Sequence, residues 1–205
     1  MRSQQTLSEP DRRLVAHWEA DCAEGVLELF EEECPTDTRP RALIERARAF
    51  AGGELAAGDA IRQRFVGGVC TNEAMSEAAR AAVCHMGAHG LGAAAYAAVA
   101  VGLAAFDVPE AAGNEIRWHV SHMSEAVQCA LSTLPPVGVD SSGPLGPGLL
   151  SRGKLLENVR ELQLSLAQSN SPGNERSGLG FAGEGWFLGS QQLLADPECA
   201  DSALA

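Results

Sequence analysis

The chain has 205 residues, of which 45% are hydrophobic and only 5% aromatic, and its formal net charge is −12. That length is enough to bury a sizeable core, and with so few aromatics the core must be built mainly from Leu, Val and Ala, which suits closely packed helices. With 15 Lys and Arg against 27 Asp and Glu, no cationic stripe is available to neutralise phosphates. Nucleic acids and anionic membrane surfaces are therefore excluded as expected partners, whereas a basic protein is compatible.

The opening Met1-Arg-Ser-Gln-Gln-Thr6 is followed by no apolar run, so no secretory leader is expected. The run Leu91–Phe106 is too short and too rich in Ala and Gly to span a bilayer, and reads as a buried helix. Cys22, Cys34, Cys70, Cys84, Cys129 and Cys199 show no CxxC pairing and are expected as small hydrophobes in a reducing, cytoplasmic setting. Lys154 is the only lysine beside 14 arginines, a codon bias that points to a GC-rich bacterial genome.

In chain order, Ser8-Glu-Pro-Asp11 opens the first helix with a capping serine, a first-turn proline and two acids at the positive end of the helix dipole. Leu14, Val15, Trp18, Cys22, Val26, Leu29 and Phe30 recur at helical spacing, with Arg12, Glu19, Glu28, Glu31 and Glu32 assigned to the opposite side. Cys34-Pro35 ends this helix. Asp37 or Thr38 caps the second helix, which has Pro40 in its first turn, Leu43, Ile44, Ala47 and Phe50 as its stripe and Gly52-Gly53 at its end.

Leu55–Val69 predicts a weaker helix, and Thr71 or Asn72 caps a fourth running through His85. A helix over about 91–106 follows, small on every side. Pro109 then starts one reaching about Leu134, with Ile116, Val120, Met123, Val127 and Leu131 as its stripe. Glycine and proline dominate after Leu134. One helix is predicted there, Leu149–Gln168, whose face of Leu155, Leu156, Val159, Leu162 and Leu166 needs a cover. Residues 170–185 read as loop, before an apolar trio at Trp186-Phe-Leu188. No strand alternation appears. The expectation is an all-α protein: a compact helical domain over 8–134 and a Gly/Pro-rich extension over 135–205 whose helix docks on it.

Four segments carry a family resemblance. Trp18-Glu-Ala-Asp-Cys-Ala-Glu-Gly-Val-Leu-Glu-Leu-Phe-Glu31 resembles the opening helix of the immunity-protein-five-like family of bacterial immunity proteins. Asp37–Glu54 resembles its second motif, His85-Met-Gly-Ala-His-Gly-Leu-Gly-Ala-Ala-Ala-Tyr96 its histidine motif, and Glu115-Ile-Arg-Trp118 its last helix. The similarity covers about 18–125. It implies an all-α fold and a toxin-neutralising role. Gly67-Gly68-Val-Cys70 departs from the Ala-rich helix expected there, and the tail after 135 is longer than the family needs.

Two features stand apart from packing. His85 and His89 are four residues apart, and Asp21 and Glu24 lie beside the first stripe, with Asp37 and Arg39 at the next helix start. Three readings compete for this constellation. One is a structural network in which Asp21 and Asp37 accept hydrogen bonds from Arg39, His85 and helix N-termini. A second is acid–base catalysis by His85, Asp21, Asp37 and Arg39 on a small apolar substrate, in a pocket lined by Trp18, Tyr96 and Trp118. The third is a metal site on His85, His89 and a carboxylate, which HxxxH alone does not specify; no metal and no cofactor are expected. Gly178-Leu-Gly-Phe-Ala-Gly183 follows no strand and fails as a dinucleotide loop.

The first expectation for function is a non-catalytic binder that presents an acidic helical surface to a protein partner, a toxin being the one the resemblance implies. Trp18, Glu24, His89, Tyr96 and Trp118 would be its contact residues. The alternative is a cofactor-independent cyclase or isomerase of small-molecule biosynthesis, with the 135–205 tail as a lid.

Overall fold

The computed structural model describes residues 5–56, 78, 88–105 and 107–169. Its described part divides into seven α-helices and one 3-10 turn, all within the unit formed by residues 1–172; the second unit, 173–205, lies outside it. The helices are α1 (Glu9–Glu24), α2 (Leu27–Glu31), α3 (Arg39–Ala51), α4 (Ala88–Ala104), α5 (Ala111–Ser121), α6 (Glu125–Ser132) and α7 (Gly153–Ser169), with the 3-10 turn at Leu149–Ser151. No strand occurs among the described residues. The protein is all-α, as the sequence predicts. The segments expected at 55–69 and 71–85, His85 among them, lie largely outside the described residues, as do 170–185 and Trp186–Leu188.

Local chemistry sets the helix starts. Ser8 Oγ accepts the Asp11 amide at 3.3 Å, Pro10 lies in the first turn, and Glu9 and Asp11 are the expected acids. At α3 Thr38 precedes the helix without a side-chain cap, and Asp37 Oδ1 takes the Arg39 amide at 3.1 Å instead. Two expected long helices are each broken. The first breaks at Gly25-Val26, so α2 is a separate short element. The second breaks at His122–Ser124, where Ser124 Oγ caps the Val127 amide at 3.3 Å and restarts the chain as α6.

Helices α1 and α4 are the hubs. α1 packs against α3, α4 and α6, and α4 packs against α1, α5 and α7. Eleven of the 17 residues of α4 are buried, and nearly all of those are Ala or Gly. So little side-chain bulk lets three helices approach its backbone. The largest core cluster runs from Val15, Trp18 and Cys22 of α1, through Leu91 and Ala95 of α4 and Ile116 of α5, to Val159, Leu162 and Leu166 of α7. Asn158 of α7 joins by donating Nδ2 to the Ala95 carbonyl at 3.2 Å. A second cluster gathers Ala20, Val26, Leu27 and Phe30 against Leu43, Ile44 and Ala47 of α3.

The loop between α6 and the 3-10 turn is held by polar side chains from both ends of the described chain. Gln5 donates Nε2 to Asp140 Oδ2 (2.8 Å) and to the Ser142 carbonyl (2.7 Å), and its Oε1 accepts the Leu145 amide at 2.9 Å. Its amide group lies directly over Gly143, whose φ of +83° puts it in the left-handed region; a Cβ there would come within 2.7 Å of Gln5 Oε1. Gln163 of α7 accepts the Val137 amide and donates to the Pro135 carbonyl, both at 3.0 Å.

Candidate functional site

The residues singled out from the sequence fall into three places. Asp21 and Glu24 turn away from the interior toward α3, where Arg48 Nη2 reaches both: it lies 3.0 Å from Asp21 Oδ1 and is also bonded to Glu24 Oε2. His17 Nδ1 lies 3.3 Å from Asp21 Oδ2. The Arg48 hydrogen bond holds the Glu24 carboxyl below its usual range. Asp37 and Arg39 form a local bidentate pair at the start of α3, at 2.8 and 2.5 Å, and that hydrogen bond lowers Asp37 in the same way. Asp21 and Asp37 therefore serve separate ion pairs at the surface. The partner of Asp21 is Arg48, a residue the sequence reading did not single out. His85 lies outside the described residues, and His89 is half-buried at the start of α4.

Arg48→Met is expected to cost under about 1 kcal/mol at neutral pH, because both carboxylates are well exposed to solvent. The sign of its pH dependence follows from Glu24, whose folded value is depressed. The pair's contribution is present above the ordinary carboxylate range and is lost as pH falls through the folded value. Urea titrations at pH 7 and pH 3 should show the two proteins converging in acid.

The second place is the interior, and the sequence reading largely missed it. Glu19 of α1 is 1% exposed and His119 of α5 is 0% exposed. Neither Glu19 oxygen and neither ring nitrogen of His119 has a hydrogen-bond partner. Glu115 lies one turn before His119, its Oε1 3.2 Å from His119 Nε2. That separation is within ion-pair range, but the contact lacks hydrogen-bond geometry and burial favours the neutral form of both groups. Burial raises Glu115 to about 7 and lowers His119 to about 3, with His122 adding to the latter; burial also raises Glu19. The Cys22 thiol is pushed up by burial and then by Glu115, Asp21 and Glu19, so it is a packing group rather than a nucleophile.

Two of the three expected aromatics meet His119. Trp18 donates Nε1 to the His119 carbonyl at 3.1 Å and meets its ring edge-on at 6.4 Å. Trp118 meets the same ring at 5.4 Å and stacks on His122 at 4.1 Å. Tyr96 is half-buried between the two large core clusters. On the α4 side Gly90 faces Glu19: a Cβ there would be 3.3 Å from Glu19 Oε2. A signal for these buried groups existed. Glu19 falls four residues after Val15 and three before Cys22, on the apolar stripe itself, and His119 stands between Ile116 and Met123 in the same way. No group of three or more potential metal ligands occurs among the described residues.

The third place is a groove of about 630 Å³ between α6, the loop after it and α7. Leu131, Leu134, Val137 and Leu166 lie along it, with Arg160 among its lining residues. Val139 and Leu164 also line it while remaining 70% and 63% exposed.

A family model described as Imm-5 like putative immunity protein matches residues 5–126, well over half of the chain. The chain belongs to that family. No curated protein and no solved structure matches it. In this Imm-5 like protein the matched segment contains the ion-paired acidic face and the buried Glu19 and Glu115–His119 groups, whereas every residue of the groove lies beyond it. No helix among the described residues is long and apolar enough to cross a membrane.

Proposed function

We propose that this Imm-5 like protein is a non-catalytic binder that sequesters a protein partner, a toxin, through its acidic helical surface. The carboxylates along α1, α2 and the Glu31-Glu32-Glu33 turn steer a basic partner, and an apolar patch is buried on contact. The groove supplies that patch, and it is the observation that carries the reading. Val139 and Leu164 are large apolar residues left open to water on a wall that Gln163 holds in place, which is how docking surfaces differ from ordinary exposed side chains.

The enzymatic alternative, a cofactor-independent cyclase or isomerase, draws less support from the described residues. Acid–base catalysis needs a titrating group that a substrate can reach. Asp21 and Asp37 are reachable but committed to Arg48 and Arg39, while Glu19 and His119 are closed to solvent.

Co-expression with the products of the genes flanking its own tests the proposal. One of those products is expected to arrest growth alone and to be harmless when this protein is present. Leu164→Asp combined with Val139→Asp should abolish protection while leaving the helical circular-dichroism spectrum unchanged. If no flanking product is neutralised, or if the double variant protects fully, the reading fails.

A further inference from the structure

The groove beside α6 and α7 holds about 630 Å³, within the range of roughly 300–1,000 Å³ usual for small-ligand sites. Its polar inventory, among the described residues, is short. Gln163 is engaged on both sides, its Oε1 accepting the Val137 amide and its Nε2 donating to the Pro135 carbonyl, each at 3.0 Å. The Ser132 hydroxyl donates to the Gln128 carbonyl at 2.7 Å. The remaining polar side chain of the lining is Arg160. It is exposed and makes no ion pair or hydrogen bond, although Glu157 stands three residues before it and Glu161 next to it on α7. By contrast Arg13, Arg39, Arg41, Arg48 and Arg117 each stand within ion-pair distance of a carboxylate.

An uncommitted guanidinium keeps its planar fork of N–H donors for a carboxylate from outside. Beside it the groove is apolar: Leu131, Leu134, Val137, Val139, Leu164 and Leu166 line it, and Val139 and Leu164 are open to water. One cation on an apolar trough matches a molecule with one anionic end and an apolar body. We propose that the groove is a binding site for a free aliphatic carboxylate, with the head group on Arg160 and the acyl chain along Leu134, Val137 and Leu164. The site needs no protein partner, so this reading and the sequestration proposed above stand or fall separately: growth protection reads one, and ligand titration reads the other.

The protein's own charge makes the head-group preference diagnostic. At a net charge of −12 the general field of the chain repels anions and attracts cations. An amphiphile held only by exposed apolar surface would therefore bind better as an ammonium than as a carboxylate. The proposed site requires the reverse order, which only a local cation can supply.

Calorimetric titration of the full chain at neutral pH tests the site, with hexanoate, octanoate and decanoate as probes below their micelle-forming concentrations. Affinity is expected to rise about two- to fourfold per added methylene as the chain fills the trough. Octanoate should bind about tenfold more tightly than octylammonium, and more tightly than 1-octanol. Arg160→Gln should weaken octanoate about tenfold and leave 1-octanol unchanged, a split that a merely structural role for Arg160 would not produce. Leu164→Asp should remove the binding of all these probes. Leu149→Asp, at a comparably exposed leucine outside the groove, and Arg152→Gln should leave every titration unchanged. Absence of saturable octanoate binding, octylammonium binding as tightly as octanoate, or undiminished octanoate binding by Arg160→Gln overturns the proposal. So does self-association of the free chain that Leu164→Asp abolishes while octanoate fails to bind, which would give the groove to a second copy.

Discussion

Cutting the chain after residue 126 leaves a polypeptide that does not melt cooperatively. The family match ends there, yet the core does not. Ten of the 21 buried residues in the largest core cluster, from Val127 to Leu166, lie beyond the cut. Their loss uncovers one side of Leu91, Ala95 and Ile116, which are fully buried in the intact protein, and unpairs the Ala95 carbonyl from Asn158. A single change makes the same point by degrees. Leu162 is 0% exposed, and Leu162→Ala is expected to cost about 2–5 kcal/mol through lost burial and a residual cavity. Against a typical stability of about 5–15 kcal/mol, that is a large fraction. Denaturant titration of the point variant and a thermal melt of the truncated chain check both. A truncated chain with a sharp transition near that of the full chain would show that α7 only decorates the domain.

The second large effect is expected at Gly90. Gly90→Ala places a better helix former near the start of α4, a gain of at most about 1 kcal/mol. The added methyl would stand 2.5 Å from Val15 Cγ1. Val15 is 0% exposed and β-branched, so it has few rotamers into which to retreat. Overpacking of that kind costs about 1–3 kcal/mol, and the new methyl also approaches Glu19 Oε2. The loss outweighs the gain, and Gly90→Val should be worse. Val15→Ala should relieve the clash, so the pair Val15→Ala, Gly90→Ala is expected to be more stable than the sum of the two single changes by about 1 kcal/mol. Simple additivity in urea unfolding would mean the contact is not where the penalty arises.

Much of the fold was legible because its helices are amphipathic and capped by recognisable residues. Val15, Trp18, Cys22, Val26 and Phe30 are all buried, as their spacing predicts. Leu14, from the same stripe, is 42% exposed, because α1 is gripped by α3 on one flank and by α4 and α6 on another, which spreads its contacts beyond a single face. The same double grip buries Glu19, which polarity alone had assigned to solvent. The break at His122–Ser124 was readable in principle from Ser124 followed by Glu125, a cap and a first-turn acid, but the uninterrupted run of apolar positions masked it. The ion pairs of Asp21 and Glu24 were harder to foresee. They depend on which residue of α3 lies alongside, and nothing local to α1 names Arg48.

The triple hydrogen bond of Gln5 has a consequence for the order of events during synthesis. Its partners at Asp140, Ser142 and Leu145 leave the ribosome some 135–140 residues later, so Gln5 must wait for these bonds until most of the described chain has emerged. Contacts so distant along the chain form late, after the closer ones have shortened the intervening loop. Gln5 is thus made early and secured late, and its bonds close the loop that leads from α6 to the 3-10 turn.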